Sequence, residues 1–378
     1  MNLSRILLVL CLALPLCAQA QAANDAESMY QKGLQYQTGE GVLQNYAQAA
    51  EWYAKAADQG HPAAQNRLAQ HLFEGLGTAQ DTQAALTWFA RAAESGDAGY
   101  QFDYATALQT MGMETQAAQV YLLAADQGHL EAQTSLGVLY QNGQGVPQDL
   151  ERARALYEGP ADAGLARAQN NLGLLYVRGD GVEQDYEHAA QLFQLAAEQG
   201  LHTAMTNLGV MYENGFGVER DETRAHELYR MGGRKETGEQ IALPLYDPRL
   251  APPVMTPEAQ EILQRSAQAR DPIAQFQLAW LLLQPRTVPF EDQRLAARLM
   301  EEAAKSGLSS AMANLGWMYF SGLGVPQDYV LGHMWLVLAS ASGDAQIQAV
   351  NAQLSRNLLP SQIDEAQEKA MAYLQAKH

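Results

Sequence analysis

The strongest constraint on the fold is an internal repeat. Glycines recur along the chain, and most neighbouring ones lie 36 residues apart. They are Gly60, Gly96, Gly128, Gly164 and Gly200, followed by Gly307 and Gly343. A fixed period of this length is typical of stacked helical units, none of which can bury its apolar face alone. The sequence therefore predicts an array of repeats and not one globular body.

Each repeat is predicted to contain two helices. The residue 15 positions before the closing glycine favours a helix N-cap, because its side-chain oxygen accepts an unpaired backbone N–H. These residues are Asn45, Asp81, Asp149, Asp185, Asp292 and Asp328. The second helix that follows has a large residue between two alanines, as in Ala189, Phe193 and Ala196. This spacing places all three on one face, where the alanines allow close helix packing.

The first helix and the loop after it follow a pattern of their own. Leu172 and Tyr176 are one turn apart and form the inward stripe of a first helix. The loop 179–185 reads G-D-G-V-E-Q-D, and its first glycine suits the left-handed end of a helix. In two other copies Pro147 and Pro326 stop the helix from continuing.

The combined pattern A-x-x-x-L-G-x-x-Y-x-x-G-x-G-V-x-x-D-x-x-x-A resembles the Sel1-like repeat, a relative of the tetratricopeptide repeat. Eight units are recognisable over 27–236 and 271–343. The resemblance implies an all-α fold, a right-handed α-solenoid of helical pairs whose first helices line a concave groove. It also implies a protein-binding scaffold.

Two departures interrupt this pattern. The unit 97–128 lacks the Gly-x-Gly-Val loop and resembles a plain tetratricopeptide pair. Five prolines between Ala242 and Pro257 exclude a continuous helix there, so we expect 237–270 to be a degenerate repeat with a Pro-rich segment. Two regular repeats follow at 271–343. Helices at 344–357 and 361–376 then form a C-terminal cap within 344–378.

Residues 1–20 are typical of an export signal. Arg5 precedes an apolar run and a small-residue cleavage site that ends at Ala20. We therefore expect a periplasmic or secreted protein without a transmembrane anchor. Both cysteines, Cys11 and Cys17, lie in this signal, so the mature chain has no disulfide or thiolate site. Lipidation at Cys17 is the alternative.

No catalytic motif emerges from the sequence. Gly-x-Ser-x-Gly and His-Glu-x-x-His are absent. His61 and His129 occupy equivalent positions after closing glycines, which favours a structural role at repeat corners over metal binding. We expect no enzyme activity, no cofactor and no metal site, with an atypical hydrolase as the remaining enzyme hypothesis.

The charge distribution narrows the class of partner. Residues 21–219 contain 8 Lys or Arg against 24 Asp or Glu. This excess of negative charge argues against nucleic acid or anionic membranes as partners. It favours a protein partner, and a basic protein is the sharper hypothesis. The leading hypothesis is a periplasmic adaptor of an envelope assembly, such as exopolysaccharide machinery. The alternative is a binder of peptidoglycan or an inhibitor of peptidoglycan-active enzymes.

Two sets of residues are candidates for partner binding. The first set lies beside the inward stripe of the first helices, where asparagine amides can bind the backbone of an extended peptide. It comprises Asn171, Leu175, Arg178, Asn207, Met211, Asn314, Trp317 and Met318. The second set lies near the interruption of the array and comprises Arg230, Arg234, Lys235 and Tyr246. Hydrogen bonding between repeats is an alternative role for the asparagines.

Overall fold

A computed structural model describes residues 25–233, 243–251, 256–284 and 288–377. Within these ranges the regular secondary structure is helical, without β-strands, so the predicted all-α class is confirmed. Helix α1 spans 25–38. The helices that follow are α2 (Tyr46–Asp58), α3 (Pro62–Glu74), α4 (Thr82–Ala93), α5 (Ala98–Thr110), α6 (Glu114–Asp126), α7 (Leu130–Asn142), α8 (Leu150–Asp162), α9 (Ala166–Arg178), α10 (Tyr186–Glu198), α11 (His202–Asn214), α12 (Glu222–Gly232), α13 (Pro257–Gln268), α14 (Pro272–Leu282), α15 (Phe290–Lys305), α16 (Ser309–Ser321), α17 (Tyr329–Ser340), α18 (Ala345–Ser355) and α19 (Pro360–Lys377).

The helices belong to two compact units. Unit 1 contains the described residues up to Thr82 and those after Glu239, and unit 2 lies within Gln83–Gly238. This division follows the packing of the chain. The boundaries predicted at 236, 270 and 343 follow the repeat pattern and stay predictions, and the predicted signal 1–20 lies outside the described residues.

The small-large-small faces of the second helices are buried, as predicted. In α10, Ala189 and Ala196 are fully buried and Phe193 is 1% exposed. A Cβ added to Gly173 on α9 would lie 2.8 Å from the Phe193 ring. The Leu-Gly pair of the first helix therefore leaves room for the aromatic ring of the second helix.

The loop within each repeat contacts the repeat before it. Asp185 caps α10 as predicted, because its carboxylate accepts the N–H of His188 at 2.9 Å. Gly217, with φ of +65°, lies so close to the preceding repeat that a Cβ there would be 2.2 Å from the backbone of Tyr186. Only glycine fits this contact.

One predicted N-cap is wrong. Helix α15 begins at Phe290 after Pro289, so Asp292 lies inside the first turn. Proline fixes φ at the start of the helix, and an acidic side chain in the first turn interacts favourably with the helix dipole. Asp292 therefore supports the helix from a position three residues after the N-cap, Pro289.

The last two helices occupy the positions predicted from the sequence, and they pack on the first two repeats within unit 1. The Gly77 N–H donates to the Asp364 carboxylate at 3.2 Å. The Asn351 amide donates to Gln44 at 3.2 Å. The C-terminal pair therefore contacts the first two repeats in addition to ending the array.

Candidate partner-binding faces of the first helices

We define the binding face of a first helix by three residues at i, i+4 and i+7, which share one side of the helix. The middle residue directly precedes the Leu-Gly pair or its equivalent. In α16 the face consists of Ser310, Asn314 and Trp317. The corresponding residues are Arg167, Asn171 and Leu174 in α9, Thr203, Asn207 and Val210 in α11, and Ile273, Gln277 and Trp280 in α14.

The binding face of α16 holds a non-helical segment of the same unit, residues 243–251. The Asn314 amide donates to the carbonyl of Leu245 at 2.8 Å, and its oxygen accepts the Leu245 N–H at 2.7 Å. Asn314 is fully buried and Leu245 is 3% exposed. One side chain therefore satisfies both backbone groups of a buried residue, which would be costly to leave unpaired.

The binding face of α14 holds the same segment at other points. The Trp280 indole donates to the carbonyl of Pro244 at 3.2 Å, and the Gln277 amide donates to the carbonyl of Ala251 at 2.9 Å. The Tyr246 ring packs edge-on against Trp280, with centroids 4.7 Å apart. Tyr246, predicted as a contact residue, thus packs inside unit 1.

Asp247 fixes the register of the segment. Its carboxylate is 1% exposed, accepts the Ser310 hydroxyl at 3.0 Å and pairs with Arg249 at 2.6 Å. The Arg249 hydrogen bonds, opposed by burial and aided by Ser310, lower the pKa of Asp247 to about 2. Leu245 lies at Asn314 and Asp247 lies one turn earlier on α16, so the segment runs antiparallel to the helix.

Asn314, Gln277 and Trp280 bind backbone groups of the segment, which any sequence would offer. The contact between Ser310 and Asp247 depends on the side chain of the bound residue. Asn314 was predicted from the sequence, whereas Ser310, Gln277, Trp280 and Asp247 were missed. Aligning α14 with α16 would have revealed Gln277 and Trp280, because they occupy the positions of Asn314 and Trp317. Trp317 itself is half-buried against the core of unit 1.

The equivalent face of α9 lies in unit 2 and is partly exposed. The Asn171 oxygen accepts a hydrogen bond from the Asn170 amide at 3.4 Å, and a hydrogen bond from Asn171 to the Tyr157 hydroxyl opposes the rise that burial causes in the pKa of Tyr157. Asn171 and Leu174 are half-buried, and Arg167 and Arg178 are exposed. Arg178 lies one further turn along the same side of the helix. The predicted residues Asn171 and Arg178 therefore share one surface, and Arg167 and Leu174 extend it.

The face of α11 is partly engaged by its neighbour. The Asn207 amide donates to Asn170 of α9 at 2.8 Å. This bond between repeats corresponds to the alternative role considered for the asparagines. Val210 on the same face is 40% exposed, which leaves an apolar surface beside Asn207.

Three other predicted contact residues are buried. Leu175 and Met318 are fully buried, and Met211 is 2% exposed. Each lies three residues after the stripe leucine of its helix and so shares the buried side. These three side chains belong to the core, and the residue just before each of them is more exposed.

The second predicted set lies only partly within the described residues. Arg230 is exposed at the end of α12 in unit 2. Arg234 and Lys235 lie outside the described residues. Their grouping with Arg230 stays a prediction.

The histidines at the repeat corners have structural partners. The ring nitrogens of His61 and His129 accept the N–H groups of Ala64 and Ala132, each at 3.2 Å. His129 also stacks on Phe102, with centroids 4.8 Å apart. In the described part of the chain, His, Cys, Asp and Glu form no group suited to a metal ion.

The sequence pattern and the fold can now be compared with known proteins. The Sel1 repeat model matches seven segments that span more than half of the chain. They are residues 26–61, 62–97, 130–158, 166–201, 202–235, 272–308 and 309–344. The chain belongs to the Sel1 repeat family. The pair α5 and α6 is not matched, in keeping with its missing loop.

Three solved structures are similar to this chain. A protective antigen of uropathogenic Escherichia coli with an SLR fold is 30% identical, with a TM-score of 0.49, and the match covers 93% of this chain and 84% of that one. A Sel1 repeat protein from Oxalobacter formigenes is 29% identical, with a TM-score of 0.50, over 58% of this chain and 89% of that one. An immunity protein from Pseudomonas aeruginosa is 22% identical, with a TM-score of 0.36, over 55% and 80%. No curated protein matches the sequence.

Membership of this family sets the general function. Sel1 repeat proteins typically mediate protein–protein interactions, and their solenoids are generally non-catalytic binding scaffolds. Among the described helices of this Sel1 repeat protein, none is long and apolar enough to span a membrane.

Proposed function

We propose that this Sel1 repeat protein is a periplasmic scaffold that binds extended segments of partner proteins on the first helices of unit 2. The main support is the pair of hydrogen bonds between Asn314 and Leu245, since it gives a non-helical segment already held on a first helix of this chain. Asn171 and Asn207 occupy the same repeat position as Asn314. We infer that Asn171 and Asn207 exchange their bonds to Asn170 for the same pair of bonds to a partner's backbone.

The accessible side chains suit this role. Leu174 and Val210 offer apolar contacts beside the two asparagines, in the positions that Trp280 and Trp317 occupy in unit 1. An amide that binds both backbone groups accepts many sequences, whereas neighbouring side chains select among them. A scaffold with several partners would use this combination.

The envelope location rests on the export signal of residues 1–20 and on a mature chain without cysteine. The acidic excess of 21–219 favours a partner with a largely basic surface around the bound segment. Electrostatic attraction of this kind accelerates association more than it strengthens the complex.

Site-specific photo-cross-linking in whole cells tests the proposal. A benzoylphenylalanine in place of Asn171 or Val210 is expected to label one partner at a single segment, and a synthetic peptide of that segment is expected to bind the purified protein. The matched control is Leu195 on the second helix α10, which is 48% exposed. Equal labelling from Leu195, or a labelled segment whose peptide does not bind, would contradict the proposal.

A further inference from the structure

The charge of the α9 face specifies the segment that it binds. Resting on the function proposed above, we infer that α9 selects an extended partner segment with an acidic residue two positions after the residue whose backbone Asn171 holds. Arg167 binds that acidic side chain. In this site Asn171 binds the backbone and Arg167 binds a carboxylate, within the otherwise acidic residues 21–219.

The register comes from unit 1. There Asn314 holds Leu245, and Ser310, four residues earlier on α16, contacts the carboxylate of Asp247 at 3.0 Å. In α9 the same two positions are occupied by Asn171 and Arg167. A segment bound to Asn171 in the same direction therefore places the side chain two residues on beside the guanidinium.

Arginine at this position strengthens the preference that serine shows in unit 1. A hydroxyl donates one hydrogen bond and also binds neutral partners, whereas a guanidinium can form two charge-assisted hydrogen bonds with one carboxylate. An amide side chain in place of the carboxylate loses the charge. A basic residue there is repelled.

The arginines of α9 have no acidic partner of their own. In the described residues, Arg167 and Arg178 form no ion pair and no ring contact. Glu131, at the corresponding position of α7, contacts His129 instead. Five other arginines of unit 2 are paired with a carboxylate or an aromatic ring, namely Arg91, Arg152, Arg154, Arg220 and Arg224, whereas Arg230, at the end of α12, resembles the two arginines of α9 in having no such pair among the described residues.

The charges around Arg167 favour binding of a partner carboxylate at Arg167 over other points of this region. Residues 21–219 include three times as many acidic as basic residues, so a partner carboxylate is repelled at most other points. The positive charge of Arg167 also lowers the pKa of Tyr157 and Tyr121, against the larger rise that burial causes. Arg167 and Asn171 thus both act on the Tyr157 hydroxyl, Arg167 through its charge and Asn171 through a hydrogen bond.

Binding of labelled peptides to the full-length protein tests the inference. The probe is the blocked peptide L-P-L-Y-D-P-A-L-A, the sequence of 243–251 with Arg249 replaced by alanine to remove its internal ion pair with Asp247. Matched peptides have asparagine or lysine in place of the aspartate. Fluorescence anisotropy gives each Kd for the native chain and for R167A, R178A, N171A, R220A and S310A.

We expect the aspartate peptide to bind about tenfold more tightly than the asparagine peptide and the lysine peptide to bind most weakly. R167A removes this preference without weakening the asparagine peptide. R178A retains it, because Arg178 lies about 10 Å beyond Asn171 at the other end of the face. R220A, an exposed arginine of the same unit, changes neither affinity.

Three outcomes would overturn the inference, and they differ in what they imply for the proposed function. If the aspartate and asparagine peptides bind equally and N171A abolishes the binding of both, Asn171 binds the backbone but Arg167 does not select a carboxylate. If no peptide binds, the proposed function fails as well. If the aspartate preference survives R167A but is lost in S310A, the peptide occupies unit 1 in place of 243–251, and α9 is not the site.

Discussion

Gln367 on the last helix accepts a hydrogen bond of 2.8 Å from the backbone N–H of Tyr46, at the start of α2. The two residues are 321 positions apart, and Gln367 is 2% exposed. The buried contact joins the C-terminal helix to the first repeat of unit 1. Helix α19 therefore supplies a partner for the N-terminus of a helix that its own repeat leaves unpaired.

Replacing Gln367 with alanine should destabilise the protein by about 1–3 kcal/mol, because the buried Tyr46 N–H then loses its acceptor. The urea midpoint of unfolding measures the effect. Lys369→Ala is the matched control, since Lys369 lies on the same helix and pairs only with exposed Glu365. Identical midpoints for the two variants would show that the Gln367 contact adds no stability.

Replacing Ala196 with leucine should overpack the interface of α10 and cost about 1–3 kcal/mol. Ala196 is fully buried, and the neighbouring helices leave no room for added carbons. Circular dichroism melts measure the change. Gln191→Leu, an exposed position of the same helix, should change stability by no more than ~0.5 kcal/mol. A melting temperature unaffected by Ala196→Leu would contradict the close packing.

The sequence predicts the repeated parts of the fold well, because their periodicity reports burial directly. The aligned alanines, stripe leucines and N-caps follow from position alone, as in Ala189, Leu172 and Asp185. Contacts between distant parts of the chain have no such pattern. The pairing of Gln367 with Tyr46 is one example, and the seating of Leu245 on Asn314 is another.

The candidate site was predicted only in part. Asn314 was singled out as a backbone-binding amide, but its occupant within the same chain was not foreseen. Leu175 was chosen where Leu174 faces outward, although the three-residue spacing from Leu172 indicates burial. The sequence thus identifies the helix and the chemistry, while the exact side of the helix requires packing information.

Stability should fall as the pH drops from about 6.5 toward 4. His333 is 1% exposed, and burial, partly offset by Asn351, lowers its pKa to about 4. At acidic pH the unfolded chain binds a proton at this histidine, whereas the folded chain does not. The free energy of unfolding should therefore fall by about 2 kcal/mol between pH 7 and pH 5, and it should not depend on this histidine above pH 7. Buried His71, also with a pKa of about 4, adds in the same direction.

The variant His333→Met tests this assignment through the slope of unfolding free energy against pH. The slope between pH 7 and pH 5 should become shallower than in the native protein, whatever the stability at pH 7. His226→Gln is the control, because His226 is exposed. Parallel pH profiles for the native protein and His333→Met would exclude His333 as a source of acid sensitivity.

Export should remove residues 1–20 and yield a mature chain that starts at Gln21. N-terminal sequencing of protein recovered from the periplasm measures the cleavage site. A mature chain that starts at Cys17, or recovery in the membrane fraction, would instead support the lipoprotein alternative.

Replacing Asn314 with alanine should release the segment 243–251 and expose it to protease. Both backbone groups of Leu245 then lose their partner, at a cost of about 2–3 kcal/mol, which favours local opening. Arg249 has a 69% exposed side chain, so trypsin cleavage after it should accelerate at least ~10-fold, as mass spectrometry can follow. Asn171→Ala, at the same repeat position in unit 2, should leave this cleavage unchanged. Equal acceleration at Arg167 and Arg249 in the Asn314 variant would indicate global unfolding instead of release.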